Sequence, residues 1–324
     1  MLLAAYRLAA HVLPDHASRF ARHDFTLAQL FACLVLRAFY GLSYRRTEQL
    51  LHDSPRWLAD LGLSCAPDHN TLWRASGLVL TTRRVNRMLD LQAVAFARAG
   101  LLRLSRKPLA LDSTCFERRH RSGHYDRRCR QMSAKGGAPP GDAKRPANPG
   151  KWGASVNAAR GRRVSSVPKL AVAVASACHA ILAAKVRLGN GSDAPDFHDL
   201  LYRSWKRAGV KVVVADAGYD SEANHRLARH DMGVRSIIPA GIGRPTTKLP
   251  TGRWRRHMSK RFTRKADQKQ YAQRAQSETS HSMVKRNQGS ALRARTPERQ
   301  KQEMLLRVLT HNIALLANLQ EDEE

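Results

Sequence analysis

Tyr271, Arg274, Glu278 and Lys285 stand at the spacing Y-x2-R-x3-E-x6-K. On an α-helix, offsets of three, four and seven residues fall along one stripe, so a phenol, a guanidinium, a carboxylate and an ammonium are expected on one face. A lone carboxylate among cations suits metal-dependent phosphodiester chemistry: the acid holds a divalent ion and the cations hold phosphates. Taken singly, each residue has a plainer use. Glu278 can be a surface partner of Arg274 at i, i+4, and Arg274 and Lys285 can simply solvate the helix.

Such a site needs further carboxylates that converge from elsewhere in the chain. Asp112 closes the run Leu109-Ala110-Leu111-Asp112-Ser113-Thr114, and Asp216 closes Val213-Val214-Ala215-Asp216 ahead of Ala217-Gly218-Tyr219-Asp220. Alone, Asp112 before Ser-Thr reads as a turn cap, and Asp216 as turn chemistry with Gly218 free to take positive φ.

Together with the spaced motif, these phrases make the chain resemble the DDE transposases of bacterial insertion sequences, in the groups whose third acid sits in Y-x2-R-x3-E-x6-K. The first phrase resembles the family's first-aspartate strand and the second its second. The order Asp, Asp, Glu is intact, and the resemblance runs from about Phe25 to the final helix. One departure is Cys115, where the family usually has Gly. The resemblance implies that Asp112, Asp216 and Glu278 are the catalytic residues and hold two Mg²⁺ or Mn²⁺ ions. It also implies DNA cleavage at the ends of the element, followed by strand transfer into target DNA. Tyr271, Arg274 and Lys285 are then expected to hold the DNA strand. Two alternatives stay open: a ribonuclease-H-like metal nuclease without strand transfer, and a catalytically inactive DNA-binding derivative, against which the intact triad argues.

Composition points to the same partner. Against 26 Asp and Glu there are 56 Lys and Arg, a formal charge of +30 and a pI near 11.1. Fourteen of the cations are Lys, so 56 − 14 = 42 are Arg, the better bidentate phosphate ligand. An Arg-rich genomic bias accounts for part of that excess but not for the missing acids. Ten cations against one acid, Asp267, lie between Arg244 and Lys269, and sixteen against four between Arg103 and Arg163. A polyanion is therefore the expected partner, and the resemblance implies double-stranded DNA (terminal inverted repeats and target) with a homodimer assembling on it. Neither the short N-terminal apolar run, which holds Arg7, nor Leu27 to Tyr40, which holds Gln29 and Arg37, suits a signal peptide or a bilayer span. A cytoplasmic, nucleoid-associated bacterial protein with no membrane role is expected. Five cysteines without a CxxC pair fit reduced thiols. The run Cys115, His120, His124, Cys129 matches no structural zinc spacing and reads as incidental.

The elements that must position these groups divide the chain in two. Residues 1–103 read as a helical region, and its phrases Tyr40 to Leu51 and Pro67 to Arg74 resemble the family's N-terminal region, which implies binding of the DNA ends. Leu27, Leu30, Phe31, Leu34, Val35, Ala38 and Phe39 repeat at helical spacing behind a Thr26/Gln29 capping box. Ser43 caps a second helix over Tyr44 to His52, and Pro67 to Arg74 reads as a turn and a capped helix start. Arg45, Arg46 and Arg74 face outward on these helices, as in a helix-turn-helix reader; the plain alternative is a bundle that braces the rest. Residues 104–320 read as the catalytic domain. Strands are expected over Lys107 to Thr114, Lys169 to Ser176, Ile181 to Leu188, Val210 to Ala215 and Val234 to Ile238. Helices are expected over Asp196 to Arg207, Ser221 to His230 and Asp267 to Arg286, then behind Thr296. Basic insertions fall near 118–165 and 240–266. The class is α/β, and the resemblance implies a ribonuclease-H-like mixed five-stranded sheet flanked by helices, with an all-α N-terminal region. Asp193 is expected to cap a helix, Asp220 to assist structurally, and His281 and Ser282 to face the site or pack.

Overall fold

The computed structural model describes residues 1–118, 167–189, 191–241 and 249–321. Its centre is a mixed five-stranded sheet in the order β4-β3-β1-β5-β6. The strands are β1 (Leu109–Cys115), β3 (Pro168–Ala175), β4 (Ile181–Leu188), β5 (Val212–Ala215) and β6 (Arg235–Ile237). Two short strands, β2 (Glu117–Arg118) and β7 (Ala291–Leu292), pair separately. β3 runs antiparallel to both β1 and β4, whereas β5 is parallel to β1 and β6 to β5. This is the ribonuclease-H-like sheet expected from the sequence, with helices on its faces.

Six helices precede it: α1 (Leu2–Ala10), α2 (Leu27–Phe39), α3 (Tyr44–His52), α4 (Pro55–Asp60), α5 (His69–Val79) and α6 (Thr82–Arg98). The start of α2 is fixed by its capping box: Gln29 N–H donates to Thr26 Oγ1 at 3.2 Å and Thr26 N–H to Gln29 Oε1 at 2.8 Å. Later come α7 (Phe197–Ala208), α8 (Glu222–Arg226), α9 (Arg253–Arg261), α10 (Lys265–Tyr271), α11 (Ala275–Gln288) and α12 (Pro297–Glu321). Gly209 stops α7 in the left-handed region at φ 58°, a conformation that costs glycine least. Two helices differ from expectation. α8 ends at Arg226 and widens into a π turn over Leu227–Asp231, closed by Met232 N–H donating to Leu227 O at 3.0 Å. The helix expected over Asp267 to Arg286 is divided by a 3₁₀ turn at Ala272–Arg274. The Ser277 hydroxyl donates to the Arg274 carbonyl at the end of that turn, and Thr279 and Ser280 hydroxyls donate to Ala275 and Gln276 in the first turn of α11, each competing with the backbone ladder.

Strand alternation sorts the core. Leu109 and Leu111 pack with Phe197, Leu201, Val213 and Ala215 on one face, while Ala110 joins Val214, Ile237 and Met258 on the other. The N-terminal helices are continuous with this core. Phe31, Leu34, Leu72 and Met88 form one cluster with Leu170, Val172 and Ile181 of the sheet and with Leu305, Leu309 and Ile313 of α12. A buried amide pair seals the junction: Asn312 Nδ2 donates to Gln92 Oε1 at 2.9 Å and to Ile181 O at 2.9 Å.

Of the two expected basic insertions, residues 119–165 and 242–248 lie outside the described residues. The remainder of the second carries α9.

Candidate active site

The pairing of β1 with β5 decides where the two aspartates go. Leu111 stands beside Ala215 in a parallel register, so Asp112 and Asp216 are the next residues along neighbouring strands and leave the sheet at the same edge. Each also makes the turn contact its local sequence calls for. Ser113 N–H donates to Asp112 Oδ1 at 2.8 Å, and Gly218 N–H donates to Asp216 Oδ1 at 2.9 Å at the start of the turn Ala217–Tyr219. Turn cap and site residue are thus not alternatives here, since the cap aims the carboxylate.

Glu278 reaches this edge from the first turn of α11, its side chain 56% exposed. Arg274 joins it to Asp112: one guanidinium nitrogen lies 2.5 Å from Glu278 Oε1 and another 3.7 Å from Asp112 Oδ2. Burial pushes the Asp112 carboxyl up from 3.8 to about 6. The Ser113 N–H and Arg274 oppose that shift, whereas the charges of Asp216 and Glu278 add to it. Burial works against the charge on Arg274, but Glu278, Tyr271 and Asp112 outweigh it and raise its pKa.

The 3₁₀ turn corrects the expectation of one uninterrupted stripe. Tyr271 ends α10, Arg274 closes the turn, and Glu278 and Lys285 lie on α11. Tyr271 is half-buried, edge-on to Phe262 with ring centroids 4.9 Å apart. Burial raises its phenol, and Asp216 and Asp112 push the same way. Lys285 Nζ donates to Thr114 Oγ1 at 2.6 Å and sits 5.4 Å above the Phe116 ring, so it is fastened to the end of β1. His281 is buried beside the site with Nε2 3.9 Å from Asp112 Oδ2. Burial, with the charge of Lys285, lowers its pKa to about 4, which leaves it neutral at physiological pH.

Asp193 is the neighbour that sequence reasoning misplaced. Its side chain makes no capping hydrogen bond. Instead it pairs with Lys169 of β3 and accepts from Ser113 Oγ at 3.0 Å, directly beside Asp112. Gly-Ser-Asp ahead of an apolar helix imitates a cap. Only the β1–β3 register, which sets Lys169 opposite Cys115, reveals the other partner.

Arg45 and Arg46 on α3 and Arg74 on α5 are exposed. No hydrogen bond or ion pair among the described residues links them to the acids. Nearby, His69 Nδ1 lies 2.7 Å from Glu48 Oε2 and 3.1 Å from Asp68 Oδ2, which ties the start of α5 to α3. Among the described residues this is the one trio of potential ligands whose atoms all lie within 4.8 Å of one another, so the triad does not close that far. Of the four-residue zinc run, only Cys115 lies among the described residues, and it is exposed.

The triad nevertheless suits a hard divalent cation. Its donors are carboxylate oxygens only, the set that favours Mg²⁺ or Mn²⁺ over softer metals. Burial is the main cause of the raised Asp112 carboxyl, and the charges of Asp216 and Glu278 add a repulsion that a cation would relieve.

Comparison with known families agrees with this geometry. A family model described as a transposase DDE domain matches residues 103–313. A second, described as a transposase domain (DUF772), matches residues 6–77. No curated protein and no solved structure matches the chain.

Proposed function

Because the chain belongs to the DDE transposases, we propose that it cuts DNA at the ends of its own insertion sequence and joins the freed 3′ ends to target DNA. Its partner in this reading is double-stranded DNA, engaged by a homodimer at the bacterial nucleoid. The observation that carries the proposal is the parallel register that brings Asp112 and Asp216 out at one sheet edge, with Arg274 spanning from Asp112 to Glu278.

In this reading Asp112, Asp216 and Glu278 hold two Mg²⁺ or Mn²⁺ ions, which supply Lewis-acid stabilisation to the attacking and leaving oxygens. Arg274 and Lys285 hold the flanking phosphates, and Tyr271 adds a hydrogen bond and an aromatic face. Neutral His281 adds no second cation beside Asp112, where Arg274 already stands. Hydrolysis places the new 3′ hydroxyl beside the same acids, so the second attack, on target phosphorus, uses the site already assembled.

The test is a labelled duplex carrying the terminal repeats that flank the gene, incubated with the full chain, Mg²⁺ or Mn²⁺ and a target plasmid. The expected products are a free 3′ hydroxyl end and its covalent joint to the plasmid. Cleavage without any joint would support the nuclease reading instead, and binding without cleavage the inactive one.

A further inference from the structure

We propose that α9 is a second phosphate-binding surface, a ridge formed by Arg253, Arg256 and Lys260 that holds a DNA backbone at a fixed position relative to Asp216. This rests on the reading that the chain acts on DNA. It adds a surface outside the triad and outside the Y-x2-R-x3-E-x6-K residues.

The helix reads Arg-Trp-Arg-Arg-His-Met-Ser-Lys-Arg, with five Lys or Arg and no acid. Left alone, such a segment would repel itself and disfavour a helix, so its order comes from elsewhere. The buried side holds it down. Met258 is 1% exposed among Ala110, Val214 and Ile237 on the sheet, and Arg229 stacks on Trp254 at 5.0 Å.

Its first turn is capped from another helix. Glu222 of α8 accepts from Trp254 N–H at 3.0 Å and from Arg255 N–H at 3.0 Å, placing a carboxylate at the positive end of the dipole. Gly252 makes that approach possible, because its φ is +99° and a Cβ there would collide with the Glu222 carboxylate.

A second tie fixes direction. Asp220, four residues after Asp216, accepts from Arg255 at 2.7 Å and from Gly241 N–H at 2.7 Å, and its side chain is 1% exposed. Asp220 and Glu222 therefore couple the loop that carries Asp216 to the start of α9.

The two inward-tied cations and the outward ones have different roles. Arg255 is neutralised by Asp220, and Arg261 lies 3.8 Å from Asp267. Arg253, Arg256 and Lys260 are exposed at i, i+3 and i+7, one stripe along the outer face. Among the described residues none of these three has an ion-pair partner. Three cations of one sign in a row, on a helix anchored by Asp220 and Glu222, fit a phosphate backbone better than a mixed-charge protein surface.

The experiment compares DNA binding by the full chain with that of a combined Arg253→Gln, Arg256→Gln, Lys260→Gln variant across a salt series. The ridge predicts that the slope of log affinity against log salt falls by roughly two to three, with at least about tenfold weaker binding at physiological salt. Circular dichroism confirms that the variant folds. In the unsubstituted chain, bound duplex should protect Lys260 from acetylation, and this arm needs no variant. Equal labelling of Lys260 with and without DNA, or a slope like that of the unsubstituted chain, overturns the ridge. Loss of binding to anionic phosphatidylserine vesicles with an unchanged DNA slope overturns it in favour of a membrane surface. If the unsubstituted chain binds no DNA, the underlying functional reading fails rather than the ridge alone.

Discussion

The carboxylate edge of the sheet and the N-terminal helices are both arginine-bearing, yet their arginines are held differently. At the edge, Arg274 lies between Glu278 and Asp112 and is largely withdrawn from solvent, while Lys285 is tied to Thr114. On α3 and α5, Arg45, Arg46 and Arg74 are exposed, and the contacts that fix those helices come from other side chains. Tyr44 donates to Ser76 Oγ at 3.2 Å, and Arg299 of α12 stacks on Trp73 at 4.2 Å while donating to Ser76 Oγ. Positive charge alone does not distinguish the two regions. The distinction is pairing: one basic surface is tied to Asp112 and Glu278 at the sheet edge, and the other is a presented face on a braced scaffold.

The largest effect should come from removing the carboxylates. Asp112→Ala, Asp216→Ala and Glu278→Ala are each expected to reduce cleavage by at least about a thousandfold, several kcal/mol of barrier. DNA affinity, measured separately, should stay within about twofold. A variant that cleaves at the unsubstituted rate removes its residue from the site and brings the edge closer to the N-terminal helices in kind.

The next effect is set by pH. The folded Asp112 carboxyl titrates near 6 rather than 3.8, so the folded state binds the proton more tightly than the unfolded one. Metal-free stability should then be greatest below pH 4 for this group and decline as pH rises to about 6, by up to roughly 3 kcal/mol. Asp112→Asn should flatten that part of the profile in thermal unfolding without metal. Mn²⁺ affinity should rise over the same interval, because the ion requires the ionised carboxylate. A metal-affinity profile flat from pH 5 to 7 would contradict the assignment.

On the other side of the comparison, combining Arg45→Ala, Arg46→Ala and Arg74→Ala should cut preference for terminal-repeat DNA over random DNA by about ten- to thirtyfold at one fixed salt concentration. If affinity falls equally for both DNAs, α3 and α5 supply charge without reading sequence. If neither changes, they brace the fold. The measurement belongs in the full chain. A fragment ending near Arg103 would expose the face that Phe31, Leu34 and Met88 share with the sheet and α12.

Much of the positioning framework was legible in the sequence because it is local. The capping box sets α2 at Leu27–Phe39 as expected, and Ser43 sets α3. Apolar runs mark the strands to within one or two residues. What was not legible depends on partners distant in sequence. Asp193 imitates a helix cap until the strand register brings Lys169 beside it. α9 shows only Trp254 and Met258 at helical spacing, and its cap is Glu222 from another helix, so no start signal precedes it. The 3₁₀ turn is missed because counting offsets assumes a uniform 3.6-residue period, and the hydroxyl bonds of Ser277, Thr279 and Ser280 are not apolar positions.

The smallest effect expected is the most discriminating test of the edge itself. Two roles proposed for Arg274 oppose each other. With DNA bound, its guanidinium is expected to hold a phosphate beside the scissile bond. Without DNA it spans Asp112 and Glu278 and so competes with a divalent ion for the same oxygens. Arg274→Ala should therefore slow cleavage by about three- to tenfold and recover partly at low salt, since a lost phosphate contact is a positioning defect. The same change should tighten Mn²⁺ binding to the DNA-free protein severalfold, which electron paramagnetic resonance of free Mn²⁺ reads directly. Lys285→Ala differs, because Lys285 contacts Thr114 and Phe116 rather than a carboxylate. It should slow cleavage to a similar extent but leave Mn²⁺ affinity unchanged. Equal Mn²⁺ binding by both variants and the unsubstituted chain would mean that Arg274 merely solvates its helix, and the contrast between a pinned and a presented arginine would lose its mechanistic content.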